Sequence, residues 1–166
     1  KELGIKKKPI LVMLGGSDFG TNLAKHINKI AQDSKEEFYI FGGRLAGDFH
    51  KNVHYIQYTD QIFKYLKVCK GVITLGGQQT LAETLTFKKP ILCFPIEDHV
   101  EQVMNAFALE KTILVSYKHS FKEVKNKFNQ FLRDLKKIEA KVKKLNIQGT
   151  GSEEFTEIIN LVKDNY

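Results

Sequence analysis

Apolar residues fall along this chain in short unbroken runs separated by amphipathic stretches, and the alternation is regular. Pro9 to Leu14, Glu37 to Phe41, Val53 to Ile56, Gly71 to Leu75, Ile91 to Phe94 and Ile113 to Val115 are each three to six residues long, without the polar alternation of a half-exposed sheet. Runs of that kind predict strands covered on both faces. Between them, Leu23, Ile27 and Ile30, then Ile62, Phe63 and Leu66, recur at near-helical spacing, and helices are predicted over Gln79 to Phe87 and onward from His99. Strand alternating with helix predicts a Rossmann-like, doubly wound α/β fold on a parallel sheet of about six strands. In the helix from His99, the positions Val100, Val103, Met104, Phe107 and Ala108 define an expected core face, which leaves Glu101, Gln102 and Asn105 on the opposite flank.

Two more helices follow the sixth strand. Ser120-x-x-Glu123 is a capping box that opens a long charged helix over about 120–146, and Thr150-x-x-Glu153 opens a last one over 151–165. No internal repeat or low-complexity linker interrupts the 166 residues, 42% of which are hydrophobic, so one domain over 1–166 with its core in 9–115 is the expectation. No apolar run reaches the length of a membrane span and the start KELGIKKKP lacks the apolar stretch of a signal peptide, which predicts a soluble, cytoplasmic chain. The sequence opens on Lys1 rather than Met, as a domain cut from a longer protein would.

The formal charge of +7 is local, because residues 118–144 hold ten Lys or Arg against three acids. A solvated helix face is one reading, and a patch for an anionic membrane surface, holding the chain peripherally, is the other. Only Arg44 and Arg133 offer the forked guanidinium suited to phosphate or guanine edges, so specific nucleic-acid recognition is not expected. Cys69 and Cys93 sit in apolar sequence with no ligand spacing, as buried thiols do, and no metal site is expected.

Two glycine turns carry the chemistry. Gly15, Gly16 and Ser17 follow the first strand, and Gly76, Gly77, Gln78, Gln79 and Thr80 follow the fourth, where a helix begins at once. Free backbone N–H groups at such a turn suit a diphosphate. Glu83, one turn into that helix, is placed to accept hydrogen bonds from ribose hydroxyls. Thr80-x-x-Glu83 also has the form of a capping box, and a glycine loop is also a tight turn, so both structural readings stay open. The first loop, G-G-S-D-F-G, lacks the G-x-G-x-x-G fingerprint of dinucleotide folds and no Walker lysine follows it. Among the five histidines, His99 sits in an active-site-like loop, whereas His26, His50, His54 and His119 read as surface or partly packed. Neither a Ser/His/Asp order, nor H-E-x-x-H, nor a D-x-D pair is present, and Glu97, Asp98 and Glu101 lie too close together to make a glycosidase pair.

The run GGQQTLAETLTFKKPILCFPIEDHVEQVMNAFALEK and the opening ILVMLGGSDFG resemble the C-terminal, donor-binding domain of GT-B-fold glycosyltransferases. Within these, they are similar to the archaeal and bacterial group related to the N-acetylglucosaminyltransferase of the lipid-linked cell-wall precursor. The resemblance implies one half of a GT-B fold that binds a nucleotide-diphosphate sugar, a UDP-sugar above all, with no further cofactor. It implies that Gly15 to Ser17 and Gly76 to Thr80 border the diphosphate, that Glu83 binds ribose, that the backbone at Ile56 meets the base, and that Glu101, Gln102 and Asn105 hold the donor sugar. The group often has two adjacent glutamines where this chain has Glu101-Gln102, and its loop at Pro95 is about one residue longer. The resemblance places the catalytic base and the acceptor site on an N-terminal domain, so no catalytic residue is expected here. An inverting, metal-independent transferase is the implied reaction, with this domain inactive by itself. A stand-alone subunit paired with a separate acceptor domain, a nucleotide-sugar hydrolase or epimerase on the same scaffold, and a non-enzymatic basic module remain as alternatives.

Overall fold

Every one of the six apolar runs is a strand in the computed structural model, which describes residues 3–15, 18–43 and 45–145. The strands are β1 (Ile10–Met13), β2 (Phe38–Phe41), β3 (Val53–Ile56), β4 (Gly71–Thr74), β5 (Ile91–Cys93) and β6 (Leu114–Val115). Between and after them come α1 (Asp18–Gln32), α2 (Ile62–Val68), α3 (Gln78–Thr86), α4 (Val100–Leu109) and α5 (Phe121–Lys144). The expected helix over 151–165 lies outside the described residues.

All pairings are parallel and the strand order is β3-β2-β1-β4-β5-β6. This is the doubly wound order, in which the chain reverses direction across the sheet between β1 and β4. Side chains leave the sheet alternately on its two faces, and both are covered. Ile10, Val12 and Ile73 enter the larger core with α1 and α5, while Leu11 and Val72 pack with Leu66 and Cys69 on the α2 side. Two-sided burial is the reason the runs are apolar throughout.

Ser120 caps α5 as its motif predicts, its Oγ accepting from Glu123 N at 3.4 Å. From there α5 passes beneath the amino ends of the strands. Phe128 meets Phe38, the first residue of β2, with ring centroids 5.5 Å apart. Phe131 lies so close to Gly71, the first residue of β4, that a Cβ there would stand 2.8 Å from the ring.

One expected face is reversed. Helix α4 buries Asn105, Ala106 and Leu109 and leaves Val100 76%, Met104 38% and Phe107 38% exposed, so the apolar stripe looks outward. The cause lies in two polar side chains that face the sheet. Gln102 Oε1 accepts from Ile96 N at 3.2 Å, and Asn105 Nδ2 donates to the Gly76 carbonyl at 3.1 Å, so the hydrogen-bonding needs of two loops fix the helix rotation.

Candidate functional site

Strands β1 and β4 are neighbours with Met13 opposite Thr74, so the turns that follow them leave the sheet side by side. Gly15 has φ +63° and Gly76 φ +92°, values that favour glycine. The turn after β2 closes on the same place: a Cβ on Gly42 would stand 3.0 Å from the Gly15 carbonyl oxygen. Three carboxyl-end turns thus bound a single cleft at the reversal point. Gly16 and Ser17 lie outside the described residues.

Helix α3 starts directly from the second turn. Its N-cap is Gly77, no side chain caps it, and its first turn holds no acid. The Thr80-x-x-Glu83 motif is therefore not a capping box, since Thr80 lies inside the helix. The first N–H groups of a helix have no partner within it and carry the positive end of the macrodipole. Here they front a cavity of about 690 Å³ bounded by Gly77, Gln78, Gln79, Thr80 and Glu83, with Glu101 facing it. Glu83 is half-buried and is held from within its own helix, Gln79 Nε2 donating to its Oε1 at 2.9 Å.

A second hollow, of about 250 Å³, lies beside the first. Thr80 lines both. Its other walls include Gly15, Gly42, Ile56, Tyr58 and Ile62, an apolar slot at the exits of β1, β2 and β3. The structure thus brings together Gly15, Ile56, Gly77, Gln78, Gln79, Thr80, Glu83 and Glu101 along one cleft. Gly76, Gln102 and Asn105 sit behind it. Gly76 is buried, with the sulfur of Cys93 3.1 Å from where its Cβ would be, and Gln102 and Asn105 face loop backbone through the bonds already described.

Some neighbours of the cleft carried no sequence signal. Tyr58 is 85% exposed beside the apolar slot, where a single aromatic after a strand reads only as a loop residue. His99, the histidine singled out by its loop, is exposed at the start of α4 without capping it. His119 is the better placed: its Nε2 lies 2.9 Å from the Pro95 carbonyl, and its ring meets Phe19 edge-on at 5.1 Å. It ties the β5 exit to the first turn of α1.

Cys93 and Cys69 are buried thiols, and burial pushes their pKa up to about 12 and about 11. They stay protonated at neutral pH. Among the described residues no three His, Cys, Asp or Glu side chains form a metal-binding group. No described helix is long and apolar enough to cross a membrane.

Comparison with known proteins gives one family. The profile of Glycosyl transferase family 1 matches residues 8–136. A glycosyltransferase of Methanosarcina mazei is 29% identical over 154 residues, covering 87% of this chain and 40% of its own length. The UDP-N-acetylglucosamine–N-acetylmuramyl-(pentapeptide) pyrophosphoryl-undecaprenol N-acetylglucosamine transferase of Thermosipho melanesiensis is 32% identical over 117 residues, 67% of this chain and 34% of its own. Among solved structures, MurG of Acinetobacter baumannii superposes with a TM-score of 0.68 at 14% identity, over 98% of this chain and 51% of that one. The shared fold is half of a GT-B architecture, and the chain spans less than half the length of the curated relatives it matches.

Proposed function

Because the chain belongs to Glycosyl transferase family 1, we propose that it is the donor-binding half of a GT-B glycosyltransferase, with the acceptor and the catalytic base supplied by a second domain or subunit. The observation that carries this reading is the uncapped start of α3 at Gly77, facing a cleft that runs by way of Thr80 from the Glu83 wall to the Ile56 slot.

In this reading the donor is a nucleotide-diphosphate sugar, UDP-linked as in the transferase of Thermosipho melanesiensis named above. Its diphosphate sits on the turns at Gly15 to Ser17 and Gly76 to Thr80. Its base lies in the apolar slot against the backbone at Ile56. Glu83 accepts from the ribose hydroxyls, an acceptor-only group meeting two donors. Glu101, with Gln102 and Asn105 behind it, bounds the donor sugar.

The reaction is an inverting displacement. An acceptor oxygen, deprotonated by a base outside this chain, bonds to the anomeric carbon from the face opposite the diphosphate, and the anomeric C–O bond to phosphate breaks. Negative charge gathers on the departing diphosphate, where the positive end of α3 lies ready. Fixed dipoles of that kind stabilise developing charge without reorganising. No metal is needed for this role in the proposal. The chain works in the cytoplasm, where nucleotide sugars are made, and transfers nothing until the second domain joins it.

Titration calorimetry of the purified chain with a panel of nucleoside diphosphates tests the proposal. Binding of one of them at about micromolar to millimolar levels, with the others weaker, is expected. Silence from every nucleotide at millimolar concentration would overturn it.

A further inference from the structure

Lysines crowd one end of the sheet. Within three residues before each strand stands a lysine: Lys8 before β1, Lys35 before β2, Lys51 before β3, Lys70 before β4, Lys89 before β5 and Lys111 before β6. The three residues after each strand, by contrast, include no lysine until Lys118. Since all six strands are parallel, the leading lysines gather at the end of the sheet opposite the cleft. Lys70 is neutralised by Glu36 at 2.5 Å, and Lys89 is turned onto the carbonyls of Lys67 and Cys69. Lys8, Lys35, Lys51 and Lys111 are exposed.

Helix α5 adds its charge to the same end. Its Lys141 Nζ donates to the Lys111 carbonyl at 2.7 Å, and Lys88 Nζ reaches the Leu145 carbonyl at 2.7 Å. The carboxyl-terminal half of α5, Arg133 to Lys144, and the strand-leading lysines therefore form one continuous surface. Four crossover helices also end here, each with about half a negative charge. Those partial charges offset about two positive charges, and Asp33 and Glu139 pair with Lys125 and Lys143, which still leaves Lys8, Lys35, Lys51 and Lys111 exposed around the rim.

The surface is not purely ionic. Leu3, Ile5 and Val68 line a depression of about 730 Å³ whose rim is Lys6, Lys7 and Lys67. Phe63, one turn before Lys67 on α2, is 51% exposed. Apolar side chains set among lysines match a layer of anionic headgroups over hydrocarbon. An RNA surface would instead favour arginine, of which the chain has Arg44 and Arg133 alone.

We propose that the amino-terminal rim of the sheet, together with the carboxyl-terminal half of α5, is a docking face for an anionic lipid bilayer, leaving the opposite cleft turned toward the aqueous phase. The test is co-sedimentation of the chain with phosphatidylcholine vesicles, with and without about 30% phosphatidylserine, in about 0.15 M salt. The expected result is binding to the anionic vesicles only, released by high salt. A Lys8→Gln, Lys51→Gln, Lys111→Gln triple lowers that partition about a hundredfold, at several-fold per lysine. A Lys25→Gln, Lys118→Gln, Lys122→Gln triple, which removes the same charge elsewhere, changes it by less than about threefold. The pair Lys51→Gln, Lys111→Gln, checked by circular dichroism, replaces the first triple if that does not fold.

Equal loss in both triples, or no preference for phosphatidylserine, overturns the proposal. So does displacement from the vesicles by oligouridylate at equal phosphate concentration, which makes the face an RNA surface. Nucleotide binding plays no part in any of these readouts, so they stand or fall separately from the donor-site reading.

Discussion

Asn105 Nδ2 donates to the carbonyl oxygen of Gly76 at 3.1 Å, from a side chain that is 3% exposed. The bond joins α4 to the turn from which α3 starts, so the helix on one side of the cleft fixes the backbone on the other. On the near side Thr74 Oγ1 accepts from Gly76 N at 3.3 Å. Gly76 is therefore held at both its polar groups.

Replacing Asn105 with Leu should leave the Gly76 carbonyl buried without its donor. Such a loss costs about 1–3 kcal/mol. The expected outcome is a lower melting temperature together with weaker nucleoside diphosphate binding in calorimetry. Unchanged values for both would show that the turn holds itself.

The two adjacent glycines should answer differently to alanine. Gly76→Ala places a Cβ at φ +92°, 3.1 Å from Cys93 Sγ and 3.3 Å from the Gln102 carbonyl, and should destabilise by about 1–3 kcal/mol. At Gly77, φ is −61° and a Cβ meets nothing within 4 Å, so Gly77→Ala should melt like the parent. If a diphosphate rests on this turn, that same methyl should still weaken its binding by tenfold or so. Thermal melts and calorimetry on the pair separate fold from site.

Glu83 sits at the cleft, its carboxylate accepting from Gln79 Nε2 at 2.9 Å. Glu83→Gln should alter stability by less than about 0.5 kcal/mol. Affinity for a ribonucleoside diphosphate should fall about tenfold, while a 2′,3′-dideoxy analogue, which lacks the hydroxyls, should lose nothing further, since a hydrogen bond to a charged group is worth about 1.5–3 kcal/mol. A loss of equal size for both nucleotides would take Glu83 out of the ribose role.

The buried thiols predict a one-sided pH dependence. Cys93 and Cys69 are raised by burial to about 12 and about 11, from an ordinary value of 9.0. Below pH 9 both states keep their protons and the thiols contribute no slope. Above it the unfolded chain releases protons that the folded chain retains, so stability should fall as pH rises from about 9 through 11 and 12. Melting temperatures across that range check the sign. In the native protein at pH 8, neither thiol should react with a disulfide reagent until the chain unfolds.

Strand positions were legible because two-sided burial leaves an unmistakable mark, an apolar run with no alternation. Helix α3 was legible because Gly76-Gly77 announces its start. The rotation of α4 was not. Its apolar residues repeat with perfect helical spacing, yet two hydrogen bonds to loops distant in sequence outweigh them, and Asn105 and Gln102 face inward. Spacing within one helix carries no record of a carbonyl at Gly76. The continuity of the cleft was hidden for the same reason, because Thr80 joins two hollows whose other walls come from separate crossovers.

The strand order has a consequence for how the chain reaches this state. Residues on β1 and β4 that pair across the reversal, such as Met13 and Thr74, lie about sixty positions apart, whereas the other neighbours meet over shorter loops. The molecule is in effect two three-stranded halves stitched along one seam, and the cleft exists only where they are joined. Amide exchange along β1 and β4 should accordingly report the opening of that seam, and any small molecule seated over it acts as the clasp.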